Sequence, residues 1–345
     1  MHAHLELKHL CRVFGAESSS GLNALQQGVS KPELLEQYGL AVGTRDVDLI
    51  IDKGELFVVM GLSGSGKSTL VRMINRLIEP SAGQVLLDGE DITAMSDAEL
   101  VQLRRQRMSM VFQSFALMPH LNIIDNVAFG LHISGVDKRQ ARDRALETLE
   151  LVGISDVAEQ RPDQLSGGMQ QRVGLARAWV TGSDIMLMDE AFSALDPLIR
   201  TEMQDALMAL QQEDKRTIVF ISHDLAEAVR IADRIAVMAE GEIRQVGMPT
   251  EIVKDPADEY VRAFFRDVQP GRLYTAGDIA TEGVAPEDQQ PIPAETFIED
   301  ILPQAAESDT PLPVIDKNKN IVGVIHRDDL LKALIKPGQQ SGTKS

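Results

Sequence analysis

Residues 60–70 read MGLSGSGKSTL, and this stretch decides the fold of the chain. The stretch contains the complete phosphate-binding P-loop pattern, which is Gly61, four further residues, and then Gly66, Lys67 and Ser68. The apolar run at 56–60 predicts a buried strand that enters the loop, and the apolar spacing after the loop predicts a helix. Glycines let backbone N–H groups approach a phosphate, and a helix N-terminus adds positive charge there. The stretch therefore predicts a nucleotide site.

Each part of this pattern suits a different part of a metal-bound triphosphate. Lys67 is expected to reach the outer phosphates, and the Ser68 hydroxyl is expected to help hold Mg²⁺. Phe14 is the nearest aromatic residue that could stack on an adenine ring, and a core role for it is the open alternative. The candidate cofactor-binding residues of the loop are Gly61, Leu62, Ser63, Gly64, Ser65, Gly66, Lys67, Ser68 and Thr69.

Composition limits the classes of protein to which the chain can belong. Its 345 residues, 43% of them hydrophobic, provide enough material for one large and one small folded unit. A net charge of −18 argues against nucleic acid as the partner. The single cysteine, Cys11, fits a reducing compartment. No apolar run approaches the ~20 residues that a membrane-spanning helix needs, so any membrane role is expected to act through a partner.

The remainder of the large unit reads as an α/β fold. Residues 4–14 predict an edge strand on which the histidines are exposed, and 15–43 predict a surface insertion with a short helical piece. Residues 119–164 predict helices, one of them carrying an apolar stripe after Asp137. From Asp184 onward strands and helices alternate, which predicts a mainly parallel sheet covered by helices.

The C-terminal part predicts a separate small unit. Prolines, acidic residues and glutamines dominate 269–293, which predicts a linker. Residues 294–336 then give a strand LPVI, a turn DKNKN, a strand IVGVI and a helix DDLLKALI. The tail at 337–345 is expected to be disordered.

A second motif supplies carboxylates to the same site. The segment IMLMDE at 185–190 is four apolar residues followed by two acids, which predicts a buried strand ending in carboxylates. Such a strand can deliver Asp189 to Mg²⁺ and place Glu190 beside an attacking water. Solvated acids at a strand end are the plain alternative, and the P-loop in the same sheet argues against it.

With the octet LSGGMQQR at 165–172, the chain resembles the ATP-binding subunits of ABC transporters. The resemblance covers about residues 4–267 and implies a P-loop NTPase fold of the ABC type. It implies a domain at 1–268 with a helical and signature subdomain at about 119–170. The motifs that match in family order are Walker A at Gly61 to Ser68, the Q-loop Gln113, Walker B at Asp189 with the catalytic glutamate Glu190, the D-loop Ser193 to Asp196 and the H-loop His223.

The resemblance also implies how the site works. It implies a head-to-tail homodimer in which each ATP lies between one P-loop and the partner's signature residues, here Ser166, Gly167, Gly168 and Gln170. The implied catalytic residues are Glu190, His223, Lys67 and Gln113. The implied Mg²⁺ ligands are Ser68, Gln113 and Asp189.

More narrowly, the chain resembles the ATPases of glycine betaine and proline betaine importers. The segments that carry this likeness are the insertion before Val47, the run VFQSFALMPH and the run LMDEAFSALDPLIRTEMQ. The resemblance implies permease partners, a substrate-binding protein that acts indirectly, and a peripheral position on the cytoplasmic face of the inner membrane. An importer of choline or another amino acid is the alternative. Two functional classes other than an importer subunit are also alternatives: a non-transport ABC protein, and a regulatory binding module with a vestigial ATPase.

The C-terminal unit departs from this subfamily. Its members commonly end in two CBS modules, whereas only 294–336 of this chain look CBS-like. Two interpretations stay open: the single modules of two chains pair in the dimer, or the module is a structural remnant.

Overall fold

The computed structural model describes residues 3–15, 18–112, 116–193, 195–266, 268–286, 289–307 and 310–334. The chain divides into two compact units. The first comprises 1–224 and 231–246, and the second comprises 225–230 and 247–345. Within the described ranges no helix combines the length and the apolar character that crossing a bilayer requires.

Strands and helices alternate along most of the described chain. The strands are β1 (Ala3–Phe14), β2 (Ala41–Asp52), β3 (Leu56–Met60), β4 (Ala82–Leu87), β5 (Glu90–Asp91), β6 (Met108–Val111), β7 (Ile185–Asp189), β8 (Thr217–Ser222), β9 (Arg234–Ala239), β10 (Glu242–Gly247), β11 (Ile292–Pro293), β12 (Leu312–Ile315) and β13 (Ile321–Ile325). The helices are α1 (Ser18–Gln26), α2 (Lys31–Tyr38), α3 (Lys67–Ile74), α4 (Asp97–Gln106), α5 (Ile123–Ile133), α6 (Lys138–Leu151), α7 (Gly167–Trp179), α8 (Pro197–Glu213), α9 (Leu225–Ile231), α10 (Pro249–Lys254), α11 (Glu259–Phe265), α12 (Ala276–Ile279), α13 (Ile298–Glu307) and α14 (Arg327–Ala333).

A six-stranded sheet in the order β10-β9-β3-β8-β7-β6 forms the centre of the first unit. β3 pairs in parallel with β8 and β9, and β7 pairs in parallel with β6 and β8. Every residue of β3, β7 and β8 is buried, as expected for strands in a parallel α/β sheet. Met60 pairs with Ser222 and Asp189 pairs with Ile221, so the carboxyl ends of β3, β8 and β7 meet at one edge. The predicted α/β sheet is confirmed.

A second sheet of the first unit has the order β2-β1-β4-β5, and it corrects one expectation. β1 is an interior strand, because it pairs antiparallel with β2 on one side and β4 on the other. Both partners are distant in sequence, so strand composition alone could not place it. The expectation of exposed histidines is also wrong for His4, which is 1% exposed with its Nδ1 2.7 Å from Asp88. His9 is exposed as expected.

The predicted insertion after β1 contains two helices and a small core of its own. Ser30 caps α2 through a reciprocal bond pair with Glu33, and Gly39 ends the helix in the left-handed region at φ 63°. Leu34 is fully buried beside Val13 in the same cluster. The helical piece of the insertion is therefore confirmed, and it is anchored to β1 rather than loosely attached.

The helical region between β6 and β7 follows the predicted pattern. Asp137 caps α6 by accepting a 2.9 Å hydrogen bond from the backbone N–H of Arg139. The predicted apolar stripe is buried along its whole length, and it consists of Ala141, Ala145, Leu149 and Val152. This confirms the helical period that the sequence indicates.

The C-terminal part of the second unit has a three-stranded sheet in the order β11-β12-β13. The predicted strand, turn, strand and helix are present as β12, β13 and α14. The expected linker at 269–293 differs, because its residues Ala276 and Ile292 are buried in the core that also contains Val314. Apolar residues are sparse in that segment, so its composition concealed its part in the core. The tail at 337–345 lies outside the described residues.

Candidate active site

The P-loop runs from β3 to α3, and two of its glycines are required by neighbouring backbone. A Cβ atom at Gly61 would lie 2.1 Å from the carbonyl oxygen of Met238, and one at Gly66 would lie 2.1 Å from that of Gly43. Any side chain at these positions would collide with main chain that cannot retreat easily. Residues 62–64 lie exposed on the outer side of the loop. The loop backbone is thus held tightly on one side and accessible on the other.

Lys67 opens α3 and lies beneath the loop, only 4% exposed. Its ammonium Nζ donates hydrogen bonds of 2.7 Å to the carbonyl oxygen of Gly61 and 3.0 Å to that of Leu62. Burial lowers the pKa of this amine below its ordinary value, and the carboxylates of Glu190 and Asp189 oppose the shift. The predicted phosphate-binding cation therefore stands under the loop with two carboxylates nearby.

Asp189 ends β7 as a buried carboxylate that two side chains of α3 contact. Ser68 Oγ donates a 2.7 Å hydrogen bond to its Oδ1. Arg72 donates to its Oδ2 from Nη2 at 3.0 Å and from Nε at 3.2 Å. Two of the three predicted Mg²⁺ ligands, Ser68 and Asp189, are therefore in direct contact.

Glu190 follows in a tight turn with a left-handed backbone, φ 49°, which is uncommon outside glycine. Its carbonyl oxygen accepts hydrogen bonds from Ser193, at 3.2 Å from the backbone N–H and 2.9 Å from the hydroxyl. Its carboxylate Oε2 lies 3.7 Å from Nδ1 of His223, which follows β8. Two of the four predicted catalytic side chains, Glu190 and His223, thus face each other at the sheet edge.

Phe14 lies at the end of β1, close to the P-loop helix. A Cβ atom at Gly43 would lie 2.9 Å from Cε2 of Phe14 and 2.8 Å from Cγ2 of Thr69, so both side chains border the space above Gly43. The guanidinium of Arg12 stacks over the Phe14 ring at 4.6 Å from its centroid. The ring is half-buried. Its position is compatible with either of the two roles that the sequence left open.

The signature octet forms the start of α7. Ser166 is the N-cap of the helix and accepts a 3.3 Å hydrogen bond from the backbone N–H of Met169. Gly167 and Gly168 form the first turn, so their N–H groups lie at the positive end of the helix. Gln170 donates from Nε2 to the carbonyl oxygens of Pro162 and Leu165, 2.9 and 3.2 Å away. Its amide is therefore bonded within its own chain.

The structure brings together only part of the predicted site. Lys67, Ser68, Asp189, Glu190 and His223 gather at the carboxyl edge of the six-stranded sheet. In the described part of the chain, no hydrogen bond or ion pair joins the signature residues 166–168 to the P-loop. Gln113 lies outside the described residues, as does Ala194 of the D-loop.

Sequence reasoning missed three residues that contact this site. Arg72 follows Ser68 by four residues on α3, and that spacing places both side chains on one face of the helix. Lys31 of the insertion donates a 3.2 Å hydrogen bond to the carbonyl oxygen of Gly64. Gln171 bonds the backbone beside Glu190. For Lys31 and Gln171 no spacing in the sequence indicates the contact.

Comparison with known proteins identifies the family. The family model described as ABC transporter matches residues 44–193, which contain the P-loop, the signature octet and the carboxylate strand. A glycine betaine/proline betaine transport system ATP-binding protein of Escherichia coli (strain K12) is 45% identical over 99% of this chain and 100% of its own length. The chain belongs to the ABC transporter family. It is an ATPase of that family, and the resemblance seen in the sequence is confirmed.

Other relatives of this ABC ATPase are transport subunits with related names. A glycine betaine transport ATP-binding protein of Bacillus subtilis (strain 168) is 47% identical over 95% of this chain and 78% of its own length. A trimethylamine N-oxide transport system ATP-binding protein of Ruegeria pomeroyi is 43% identical over 96% of this chain and 97% of its own length. The CBS domain model matches residues 276–336, which confirms a C-terminal CBS module.

Solved ABC structures share the fold of a large part of the chain. The dimeric structure of MJ0796, a bacterial ABC transporter cassette, superposes with a TM-score of 0.60 and 31% identity, covering 71% of this chain and 98% of that one. A post-hydrolysis state of the same cassette, bound to ADP and phosphate, matches equally well.

Proposed function

We propose that this chain is the ATP-hydrolysing subunit of an importer for glycine betaine and proline betaine. The observation that carries the proposal is the 45% identity to the Escherichia coli transport subunit along the whole chain. The site supports it, because the metal, phosphate and water-activating residues of an ATPase gather at one sheet edge. We further propose permease partners, a substrate-binding protein upstream of them, and a peripheral position on the cytoplasmic face of the inner membrane.

Two copies of the chain form the working unit in this proposal. Ser166, Gly167 and Gly168 of one copy close over the ATP that lies on the P-loop of the other. A helix N-terminus aimed at a γ-phosphate supplies unpaired N–H groups and positive charge, which supports this arrangement. Identical chains related by a two-fold axis then carry two equivalent sites.

Mg²⁺ fits the oxygen donors that the site offers. Magnesium prefers hard oxygen ligands and few protein side chains, and a hydroxyl and a carboxylate converge here at 2.7 Å. Ser68 and Asp189 would hold the ion, with Gln113 as a third side chain from the family resemblance. When bound, it supplies positive charge to the phosphate oxygens.

The site residues other than the proposed metal ligands each have a role in the proposed hydrolysis. Glu190 polarises a water and takes its proton while the oxygen attacks the γ-phosphorus in line, and the bond to the bridging oxygen of ADP breaks. Lys67, His223 and the partner's Ser166 stabilise the charge on the transferred phosphoryl group. Phe14 stacks on the adenine ring.

The domain organisation in this proposal keeps the ABC domain at 1–268, with the helical and signature subdomain at about 119–170. The CBS module follows it, and its single copy pairs with that of the second chain. The alignment with the Escherichia coli relative runs over 400 positions whereas this chain has 345 residues, so part of that relative has no counterpart here.

Uptake of labelled glycine betaine tests the proposed cargo. Cells would carry this subunit, its neighbouring permease and its binding protein, and uptake would be measured at low and high osmolality against Glu190→Gln. We expect uptake that requires Glu190 and rises with osmolality. Intact ATPase activity without betaine uptake would exclude this cargo.

The Ruegeria relative favours trimethylamine N-oxide as a second candidate cargo. Choline and other amino acids are the wider alternatives. Competition by each unlabelled compound in the same assay separates them, because only the true cargo and its close analogues reduce the labelled uptake.

A further inference from the structure

Gln171 is a buried amide in the second turn of α7, 1% exposed. Its Nε2 donates a short hydrogen bond to the backbone carbonyl oxygen of Ala191. A buried polar side chain is retained only when its hydrogen bonds are made, so this bond fixes both the side chain and the carbonyl. Ala191 directly follows the catalytic carboxylate Glu190.

The backbone at Glu190 needs such support. A non-glycine residue in the left-handed region is strained and persists only when its surroundings hold it. Among the described residues, Ser193 bonds the carbonyl oxygen of Glu190, and Gln171 bonds the carbonyl oxygen of Ala191. The hydrogen bond from Ser193 lies within the turn itself, whereas the hydrogen bond from Gln171 comes from a separate helix.

That helix also carries the residues proposed to face the partner's ATP. Ser166 caps α7, and Gln171 lies five residues further on, about 7.5 Å along the helix axis at 1.5 Å per residue. Arg172 holds the same part of α7 by bonding Glu202 on α8 at 2.5 Å and the carbonyl of Val152 at 2.9 Å. These bonds join α7 to its neighbours close to Gln171, and Gln171 links the same helix to the turn that holds Glu190.

We propose that Gln171 is a positioning residue that holds the catalytic carboxylate of its own chain in register with the signature motif on the same helix. Closure of α7 on the nucleotide of the partner subunit is then transmitted through Gln171 to Glu190 in the adjacent site. The inference rests on the proposed role of Glu190 in hydrolysis and does not depend on the cargo.

A double-mutant cycle on the full-length protein tests this coupling. Gln171→Met keeps a side chain of similar length and removes the donor. We expect kcat for ATP hydrolysis to fall about tenfold, which corresponds to the loss of one well-placed hydrogen bond, while KM for ATP stays within about twofold. The Hill coefficient for ATP should fall toward 1. In the Glu190→Gln background, Gln171→Met should have no further effect, because a residue that acts through Glu190 has nothing left to position.

Gln211→Met is the matched control. Gln211 is also a buried glutamine whose Nε2 donates to backbone carbonyls, those of Gly54 and Arg216, at 3.0 and 2.7 Å. It should lower stability and leave kcat unchanged. Unchanged turnover in Gln171→Met, or an equal further loss in the Glu190→Gln background, would overturn the inference while the proposed function stands. Normal turnover in Glu190→Gln would instead remove the proposed hydrolytic role itself.

Discussion

The Ser68 hydroxyl donates a 2.7 Å hydrogen bond to Oδ1 of Asp189, and this bond joins the first turn of α3 to the end of β7. The two residues are 121 positions apart in sequence. Arg72, one turn further along α3, bonds the other oxygen of the same carboxylate. The P-loop helix and the carboxylate strand are thus connected directly at the place where the metal is proposed to bind.

Ser68→Ala removes one of the two described oxygen donors of this proposed metal site. We expect the Mg²⁺ concentration for half-maximal ATPase activity to rise by about tenfold or more, as is typical when the surroundings of a metal lose an oriented group. Nucleotide binding measured without Mg²⁺ should change little. A magnesium titration of phosphate release gives the first quantity, and fluorescence of a labelled nucleotide gives the second.

Ser183→Ala is the control for that change. The Ser183 hydroxyl is also buried and also bonds another side chain, Ser109 at 2.7 Å, at the other end of β7. Loss of this hydroxyl should leave the Mg²⁺ concentration for half-maximal ATPase activity unchanged. An identical shift in both variants would mean that the sheet, and not the metal site, responds to a lost hydroxyl.

Glu190→Gln should bind ATP and turn it over very slowly. An amide cannot take the proton of the attacking water, and loss of a general base typically costs ~10²- to 10⁴-fold in rate. The ATP-bound dimer should accumulate, which size-exclusion chromatography in the presence of Mg²⁺ and ATP would detect. Glu240→Gln changes another glutamate with a left-handed backbone, φ 52°, and should behave as the wild type. Normal turnover of Glu190→Gln would exclude this residue as the base.

Phe14→Ala separates adenine stacking from a packing role. Stacking of an aromatic ring on a base contributes about 1–3 kcal/mol, so its loss should weaken ATP binding by roughly 5- to 150-fold. Phe14→Tyr keeps a stacking surface and should retain most of the affinity. Inorganic triphosphate lacks the base, and its binding should be unaffected in both variants. Equal loss of triphosphate binding would favour the core alternative.

Two glycines of α7 should respond differently to replacement by alanine. At Gly174 no heavy atom lies within 4 Å of an added Cβ, so Gly174→Ala should raise the free energy of unfolding by about 0.5–1 kcal/mol through helix propensity. At Gly168 the added Cβ would lie 2.7 Å from Cγ2 of Ile199. The steric clash should cancel the gain in helix propensity, so Gly168→Ala should not raise the free energy of unfolding. Urea unfolding of both variants measures the difference. A gain of the same size at Gly168 would show that Ile199 moves aside freely.

Cys11 should react slowly with iodoacetamide in the folded chain. The thiol is half-buried, and burial raises its pKa above the ordinary value more than the hydrogen bond from the backbone N–H of Asp46 lowers it. Only the thiolate reacts, so the alkylation rate should rise at a higher pH than for the same chain in urea. Because Cys11 is the one cysteine of the sequence, the mass increase of the whole chain over time gives the alkylation rate of this thiol. Coincident pH profiles in both states would contradict the prediction.

Much of the candidate active site could be predicted from the sequence because its motifs are local. The P-loop needs glycines at fixed spacing between a strand and a helix, and the carboxylates need a buried strand to deliver them. Both requirements appear as contiguous patterns at 60–70 and 185–190. Parallel strands align their carboxyl ends, so the meeting of these two segments followed from the fold class.

The contacts that sequence reasoning missed are made between segments that are far apart in the sequence. β1 is an interior strand because β2 and β4 return to it from distant positions. Gln171 reaches Ala191 because α7 packs against the turn after β7. A glutamine in a helix has the same local pattern whether it faces water or a buried carbonyl.

The sequence by itself determined the reaction and the family, because phosphate and metal chemistry demand particular residues at particular spacings. Only the tertiary structure decided which side chains hold those residues in place. Arg72 beside Asp189, Gln171 beside Ala191 and Ala276 in the C-terminal core are all set by packing between segments that are far apart in the chain. Such packing depends on shape and burial in three dimensions, and neither quantity is expressed in a short run of sequence.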